Sequence, residues 1–363
     1  MVEGPIDSFF LDNCVAMVGA SSYKSIPSHL SNSELVFVMD NEPRNRSVCE
    51  YNKELIKMGH KVCIWPNNIE EKDLNDLAFR ISTRKIQKMI DENSVLDIID
   101  YIYENKITKI IHCAAKVGGV KANMEKMGEF YFDNIIINSN LLEAAKHCGV
   151  EKVVSFMSTC VFPDNATYPL TTDQIHNGEP HPTNYAYAYA KRMLEVQSRA
   201  YREQYGCNFV TVIPCNIYGP NDNFDLNTSH VIPALIRKCY EAKQNNTTFE
   251  VWGTGQPHRE FVYVDDVATI TKWVLHNYNE AEPFIISPDD ETKLSILAET
   301  IAFKMNYNGT ISYNHTYPDG QLRKPSDNSI MKKNLSGYQF TTLKEGLSKT
   351  INWFTKEHEV SIL

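Results

Sequence analysis

Before Gly118 the chain has only three glycines, Gly4, Gly19 and Gly59. A Gly-x-x-Gly-x-x-Gly turn needs them closely spaced, because only a backbone free of Cβ atoms lets a pyrophosphate settle on a helix N-terminus. The strand-like run 15–18 does end at Gly19, yet Ala20, Ser21, Ser22, Tyr23, Lys24 and Ser25 fill the positions where further glycines are required. That loop is missing. None of the nine cysteines is spaced Cys-x-x-Cys, which removes a zinc ribbon and any readable disulfide framework and points to a reducing compartment. Basic charge is also short, with 36 Lys and Arg against 45 Asp and Glu, so gripping nucleic-acid phosphates or acidic membranes is not the expected task. The apolar stretch 9–18 is broken by Asp12 and Asn13, and no run approaches the roughly 18–20 residues of a membrane span. The acidic start Met1-Val2-Glu3 is unlike a signal peptide, so the expected location is cytoplasmic.

What is present is patterning. With 363 residues, 42 % of them apolar, the chain has material for one large domain or two ordinary ones. Short β-branched and aromatic runs at 15–18, 34–39, 61–65, 109–114, 152–157 and 209–213 alternate with amphipathic stretches at 46–58, 125–147 and 187–205. This alternation predicts an α/β fold with a doubly wound parallel sheet, and the near-continuous apolar strands suit a sheet covered on both faces. Beyond about residue 219 turns at Gly219-Pro220, Trp252-Gly253-Thr254-Gly255 and Pro318-Asp319-Gly320 mark a smaller α/β substrate domain.

The chemistry-bearing residues gather around the strand ends. Tyr187 and Lys191 stand four apart on a predicted helix and so share a face toward one ligand. To release a proton near neutral pH, a tyrosine must ionise about three pH units below its ordinary value, which takes roughly 4 kcal/mol of phenolate stabilisation. The Lys191 ammonium one turn away is the expected source. Ser158 follows the strand 152–157, where doubly wound sheets place ligands, and Cys160 two residues on becomes a base if a nearby cation favours its thiolate. His230 precedes a predicted helix at 231–240.

Residues 95–363 carry AAKVGGVKAN at 114–123, STCVFP at 158–163, NYAYAYAKRM at 184–193, NIYGPNDNF at 216–224, SHVIPALIRK at 229–238, VWGTGQPHREFVYVDD at 251–266 and DGQLRK at 319–324. In these stretches the chain resembles the GDP-L-fucose synthase family, NADP-dependent epimerase-reductases within the extended short-chain dehydrogenases/reductases. The resemblance implies a GDP-4-keto-6-deoxy-mannose substrate, inversion at C3 and C5 with Cys160 as base and His230 as acid, then reduction at C4 with Ser158, Tyr187 and Lys191 at the carbonyl. It further implies a cofactor lined by Ala114, Ala115, Lys191, Pro214, Asn216 and Ile217. Lys238, Trp252, Arg259 and Lys324 then surround the GDP-sugar, where Lys and Arg suit a diphosphate. A homodimer through a helix pair that includes 187–205 is implied as well.

Residues 2–94 resemble something else. EGPIDSFFLDN at 3–13, VFVMDNEPRN at 36–45, EKDLNDL at 71–77 and IQKMIDENS at 86–94 are similar to the Toprim portion of a phage-type primase. The positions that match its metal-holding carboxylates are Glu3, Asp40 and Glu42, but only two residues precede Glu3, too few for the strand that should position it. The expected organisation is therefore a truncated Toprim-like segment at 1–94, standing where the first βαβ unit belongs, followed by the epimerase-reductase region 95–363. Residues 1–94 hold 14 acidic against 11 basic side chains, a poor grip on nucleic acid. Without the glycine loop, weakened NADP binding is expected. Two other readings remain at this point: an NAD-dependent nucleotide-sugar 4-epimerase or dehydratase, disfavoured by Cys160 and SHVIPALIRK, and a noncatalytic phage fusion with a Toprim-like binding module.

Overall fold

A computed structural model describes residues 36–37, 53–58, 61–62, 96–317 and 319–360. The expected strand 15–18, the Gly19 turn and the Glu3, Asp40 and Glu42 carboxylates lie outside the described residues. By its internal contacts the chain divides into two units, Met1–Ile107 and Thr108–Leu363. In the first, strands β1 (Val36–Phe37) and β2 (Lys61–Val62) pair in parallel, and helix α1 is Leu96–Glu104. Of the predicted helix 46–58, residues 53–57 are helical.

The second unit is built on a four-stranded parallel sheet, β3 (Lys109–His112), β4 (Lys152–Phe156), β5 (Phe209–Pro214) and β9 (Phe284–Ile286), in that spatial order. Every residue of β5 and four of the five in β4 are buried, as expected where helices cover both faces of a sheet. Val154, Val210 and Val212 pack with Val267, Ile270 and Val274 of helix α6 (Val264–Asn277). Two long helices, α3 (Met127–His147) and α4 (Tyr185–Tyr205), pack on each other. Helix α4 stops at Gly206, whose φ of +71° is a left-handed cap that a residue with a Cβ adopts only under strain. At the opposite end of the sheet, buried Lys152 donates to the carbonyls of Val274 (2.7 Å) and Tyr278 (2.5 Å) and to Asn279 Oδ1 (3.0 Å). It thus places a cation on the C-terminal carbonyls of α6.

Chain beyond β5 also forms two smaller ribbons. Strand β6 (Asn216–Tyr218) pairs in parallel with β8 (His258–Tyr263), which pairs antiparallel with β10 (Glu291–Lys293). Strand β7 (Phe249–Trp252) pairs in parallel with β11 (Ile311–Asn314). Helices α5 (Val231–Asn245), α7 (Leu294–Lys304) and α9 (Leu343–Val360) cover these ribbons around Leu235, Ile236, Phe249, Leu297, Ile301 and Phe354. Gly219 is required where β6 leaves the layer, since a Cβ there would stand 2.4 Å from Val264 Cγ1. Two further helices, α2 (Val120–Glu125) and α8 (Ser329–Asn334), are short. Among the described residues no helix is long and apolar enough to cross a membrane.

Candidate active site

The C-terminal ends of β3, β4 and β5 converge on one edge, the position where open parallel sheets bind ligands. Ser158 leaves β4 with extended backbone (φ −155°) and caps the single turn Thr159–Val161, its Oγ accepting from the Cys160 amide at 3.4 Å. That turn is clamped from below. The buried Arg192 guanidinium donates to the Val161 carbonyl at 2.7 Å and the Gly178 carbonyl at 2.7 Å, so helix α4 fixes the Cys160 loop with the residue next to Lys191.

Lys191 is only 3 % exposed and donates to the Phe156 carbonyl at 2.8 Å, with its ammonium 5.9 Å from the centre of the Tyr187 ring. Burial lowers it to about 8, partly offset by Cys160 and Cys113. Two corrections to the sequence expectations follow. Tyr187 is not held low by its lysine: burial pushes the phenol well above its ordinary value, and Cys160 adds to the rise. The Cys160 thiol is raised by burial too, with Lys324, the Ser158 hydrogen bond and Lys191 opposing. For Cys160 desolvation exceeds the attraction of the nearby cations. Lys324, lowered to about 8 by burial, also feels Cys160, Arg259 and Asp164. Cys160, Tyr187, Lys191, Lys324 and Arg259 therefore form one electrostatically coupled group beside Ser158.

His230 is exposed at the N-cap of α5 and lowers the carboxyl of Asp222, which burial raises more strongly. Its segment is tied to the sheet edge by the 116–119 loop, where Gly119 donates to the Thr228 carbonyl at 3.1 Å and a Cβ would press on the Ser229 carbonyl at 3.0 Å. Residues that the sequence reading passed over hold this loop. Buried Asn134 pairs with both the amide (3.2 Å) and the carbonyl (3.0 Å) of Lys116, while Lys116 Nζ bridges Glu129 and Asp133 at 2.7 Å each. Phe130, on the same helix, meets the Tyr187 ring edge to face at 6.3 Å. The period-3.6 placement of Phe130, Asp133 and Asn134 on α3 was the available signal, but polar residues on a helix read as a solvated face.

Around the edge Ala114 is exposed, Ala115 half-buried, Pro214 buried and Ile217 half-buried, and Asn216 donates to the Glu260 carbonyl at 2.8 Å. Lys191 spends one N–H on Phe156 and has two without partners among the described residues, a donor set that fits a ribose diol beside the small side chains of Ala114 and Ala115. Lys238 and Trp252 make a second cluster, the ammonium lying 3.8 Å over the indole, with Lys238 lowered to about 8 by burial and Glu250 opposing. Among the described residues no set of His, Cys, Asp and Glu is arranged to hold a metal ion.

A family model described as NAD dependent epimerase/dehydratase matches residues 50–287. A GDP-L-fucose synthase of Dictyostelium discoideum is 44 % identical over 263 residues, 72 % of this chain and 82 % of the relative. A probable GDP-L-fucose synthase of Drosophila melanogaster is 40 % identical over 263 residues, 70 % of this chain and 82 % of the relative. Among solved structures, a GDP-L-fucose synthetase from Naegleria fowleri bound to NADP superposes with a TM-score of 0.69 at 37 % identity, covering 73 % of this chain and 82 % of that one.

Proposed function

Since the chain belongs to the NAD dependent epimerase/dehydratase family, we infer that it is an NADP-dependent epimerase-reductase converting GDP-4-keto-6-deoxy-mannose to GDP-L-fucose. The observation that carries this reading is the coupling of a thiol, Cys160, to the Tyr187 and Lys191 pair at the end of β4. A reductase alone has no use for a base there; inversion next to a ketone does.

The 4-keto group acidifies the hydrogens at C3 and C5, and Cys160 removes them; burial disfavours its thiolate, and the Lys324 and Lys191 ammonium groups offset part of that cost. His230 returns a proton to the opposite face of each enolate; the segment it follows is tied to the 116–119 loop by the Gly119 to Thr228 hydrogen bond. Ser158 Oγ donates to the ketone oxygen. Lys191, Ala114, Ala115, Pro214, Asn216 and Ile217 would hold the cofactor, which would supply a hydride to C4. Tyr187 gives its phenolic proton to O4. A phenol raised by burial is fully protonated at neutral pH, so the proton to be given is in place. Arg259, Lys238 and Lys324 serve the diphosphate and sugar.

In this reading residues 2–94 supply no Gly-x-x-Gly-x-x-Gly loop, and NADP affinity is correspondingly low. Helices α3 and α4 leave Tyr131, Phe132, Ile136 and Met193 exposed, which supports a homodimer built on this helix pair. The test is stoichiometry: one NADPH is consumed for each GDP-L-fucose formed. A 4-epimerase returns its hydride to the sugar and consumes none.

A further inference from the structure

The nucleotide end of the site contains an aromatic residue that no motif drew attention to. Tyr317, in the turn after β11, lies flat on Trp252, ring centres 4.0 Å apart and planes within 9°. Lys238 Nζ lies 3.8 Å from the centre of the same indole. Two groups that close cannot share one face, because the ammonium would stand inside the Tyr317 ring. They cover opposite faces, and Trp252 is sandwiched. Its indole N–H is also committed, donating to Glu250 Oε1 at 3.0 Å, while Glu250 Oε2 accepts from Asn314 Nδ2 at 3.1 Å. Trp252 and Asn314 are register partners in the β7–β11 pair, so this carboxylate bolts the two strand ends together. Trp252 is itself 37 % exposed, but with both faces covered it offers an edge and no stacking surface to a base.

Tyr317 does. It is 37 % exposed and its turn is braced on both sides. Asn314 Oδ1 accepts from the Thr316 amide (3.1 Å) and hydroxyl (2.6 Å), and Asp319 accepts from the Thr254 amide (2.7 Å) and hydroxyl (2.6 Å). The same stretch then passes the cations of the site in order. A Cβ on Gly320 would lie 3.7 Å from the Arg259 guanidinium, Gln321 donates to the carbonyl and carboxylate of Asp164 at 3.0 Å each, and Lys324 couples to Cys160. Residues 317–324 thus run from an open aromatic face, past a guanidinium, to the thiol, matching base, diphosphate and sugar in sequence.

We propose that Tyr317, backed by a fixed Trp252, is the stacking platform for the guanine base and sets the preference for purine nucleotide sugars. This rests on the nucleotide-sugar reading above. A stacked base contributes enough that its loss reads as roughly a tenfold change in affinity. The experiment measures direct binding of GDP, UDP and inorganic pyrophosphate by calorimetry to wild type, Tyr317→Ala and Tyr317→Phe. For Tyr317→Ala the GDP constant weakens about tenfold and the preference for GDP over UDP narrows, while pyrophosphate, which has no base, is unchanged; Tyr317→Phe stays within twofold of wild type. An unchanged GDP constant in Tyr317→Ala, an equal loss for pyrophosphate, or the same loss in Tyr317→Phe overturns the proposal. Wild-type turnover of GDP-4-keto-6-deoxy-mannose reports separately on the reading beneath it, since GDP affinity is measurable whether or not that sugar is converted.

Discussion

Replacing Lys191 by Met asks what a buried ammonium costs the fold. The side chain is 3 % exposed, makes one hydrogen bond to Phe156, and is lowered from 10.5 to about 8 by burial. The unfolded lysine therefore holds its proton up to higher pH than the folded one, so stability rises with pH between those values, and below about 8 the whole penalty is in force. At pH 7 that penalty is about 3 kcal/mol, and at pH 9 about 2 kcal/mol. Met keeps the apolar stem and removes the charge, while the Phe156 carbonyl loses a donor at a cost of about 1–3 kcal/mol. Lys191→Met is then expected to be inactive yet as stable as wild type at pH 7 or more stable by up to about 2 kcal/mol. Denaturant unfolding of the two proteins at pH 6, 7, 8 and 9 is the assay. The hydrogen-bond loss does not change with pH, so the difference between the curves isolates the ammonium, and the variant's advantage should shrink by about 1 kcal/mol from pH 7 to pH 9. A difference that is constant across this range refutes the reasoning, because Lys191 would then carry no burial penalty.

Three further outcomes are expected. Cys160→Ser loses exchange of the C3 and C5 hydrogens with deuterated solvent by about 10²–10⁴-fold, read by NMR of the ketosugar; undiminished exchange assigns the base elsewhere. KM for the GDP-sugar is flat up to neutral pH and climbs above pH 8, where Lys238 and Lys324, both lowered to about 8, give up their charge. A KM that stays level to pH 9.5 contradicts their role. Titration of the protein into NADPH, followed by fluorescence, should give a dissociation constant well above the micromolar range, and a micromolar value would mean that residues 1–94 rebuild the phosphate grip.

The legible part of the fold was the part made of uniform burial. Strands β4 and β5 are continuous apolar runs because both of their faces are covered, and that requirement writes itself into KVVSF and FVTVIP. Strands β6 and β10 are three residues each and, Tyr218 apart, half-buried, so Asn216–Tyr218 and Glu291–Lys293 are too short to carry a readable period. In the site, Ser158, Cys160, Tyr187 and Lys191 were visible through spacing and resemblance. Arg192, Asn134 and Lys116 were not: each works through backbone groups or charges 13 to 31 positions away, and such pairings exist only after the helices dock. Tyr187 shows a different limit. Its distance from Lys191 along a helix is fixed by sequence, whereas the desolvation that reverses the expected shift comes from everything packed above it.

The decisive measurement is the reaction run to completion in deuterium oxide with GDP-4-keto-6-deoxy-mannose and NADPH, with the product's hydrogens located by NMR. A pocket that both inverts and reduces yields GDP-L-fucose bearing solvent deuterium at C3 and C5, and at C4 the hydrogen delivered by NADPH. A reduced product that retains the original hydrogens at C3 and C5 would mean that Cys160 and His230 do not act on the sugar, and the epimerase half of the account would fall.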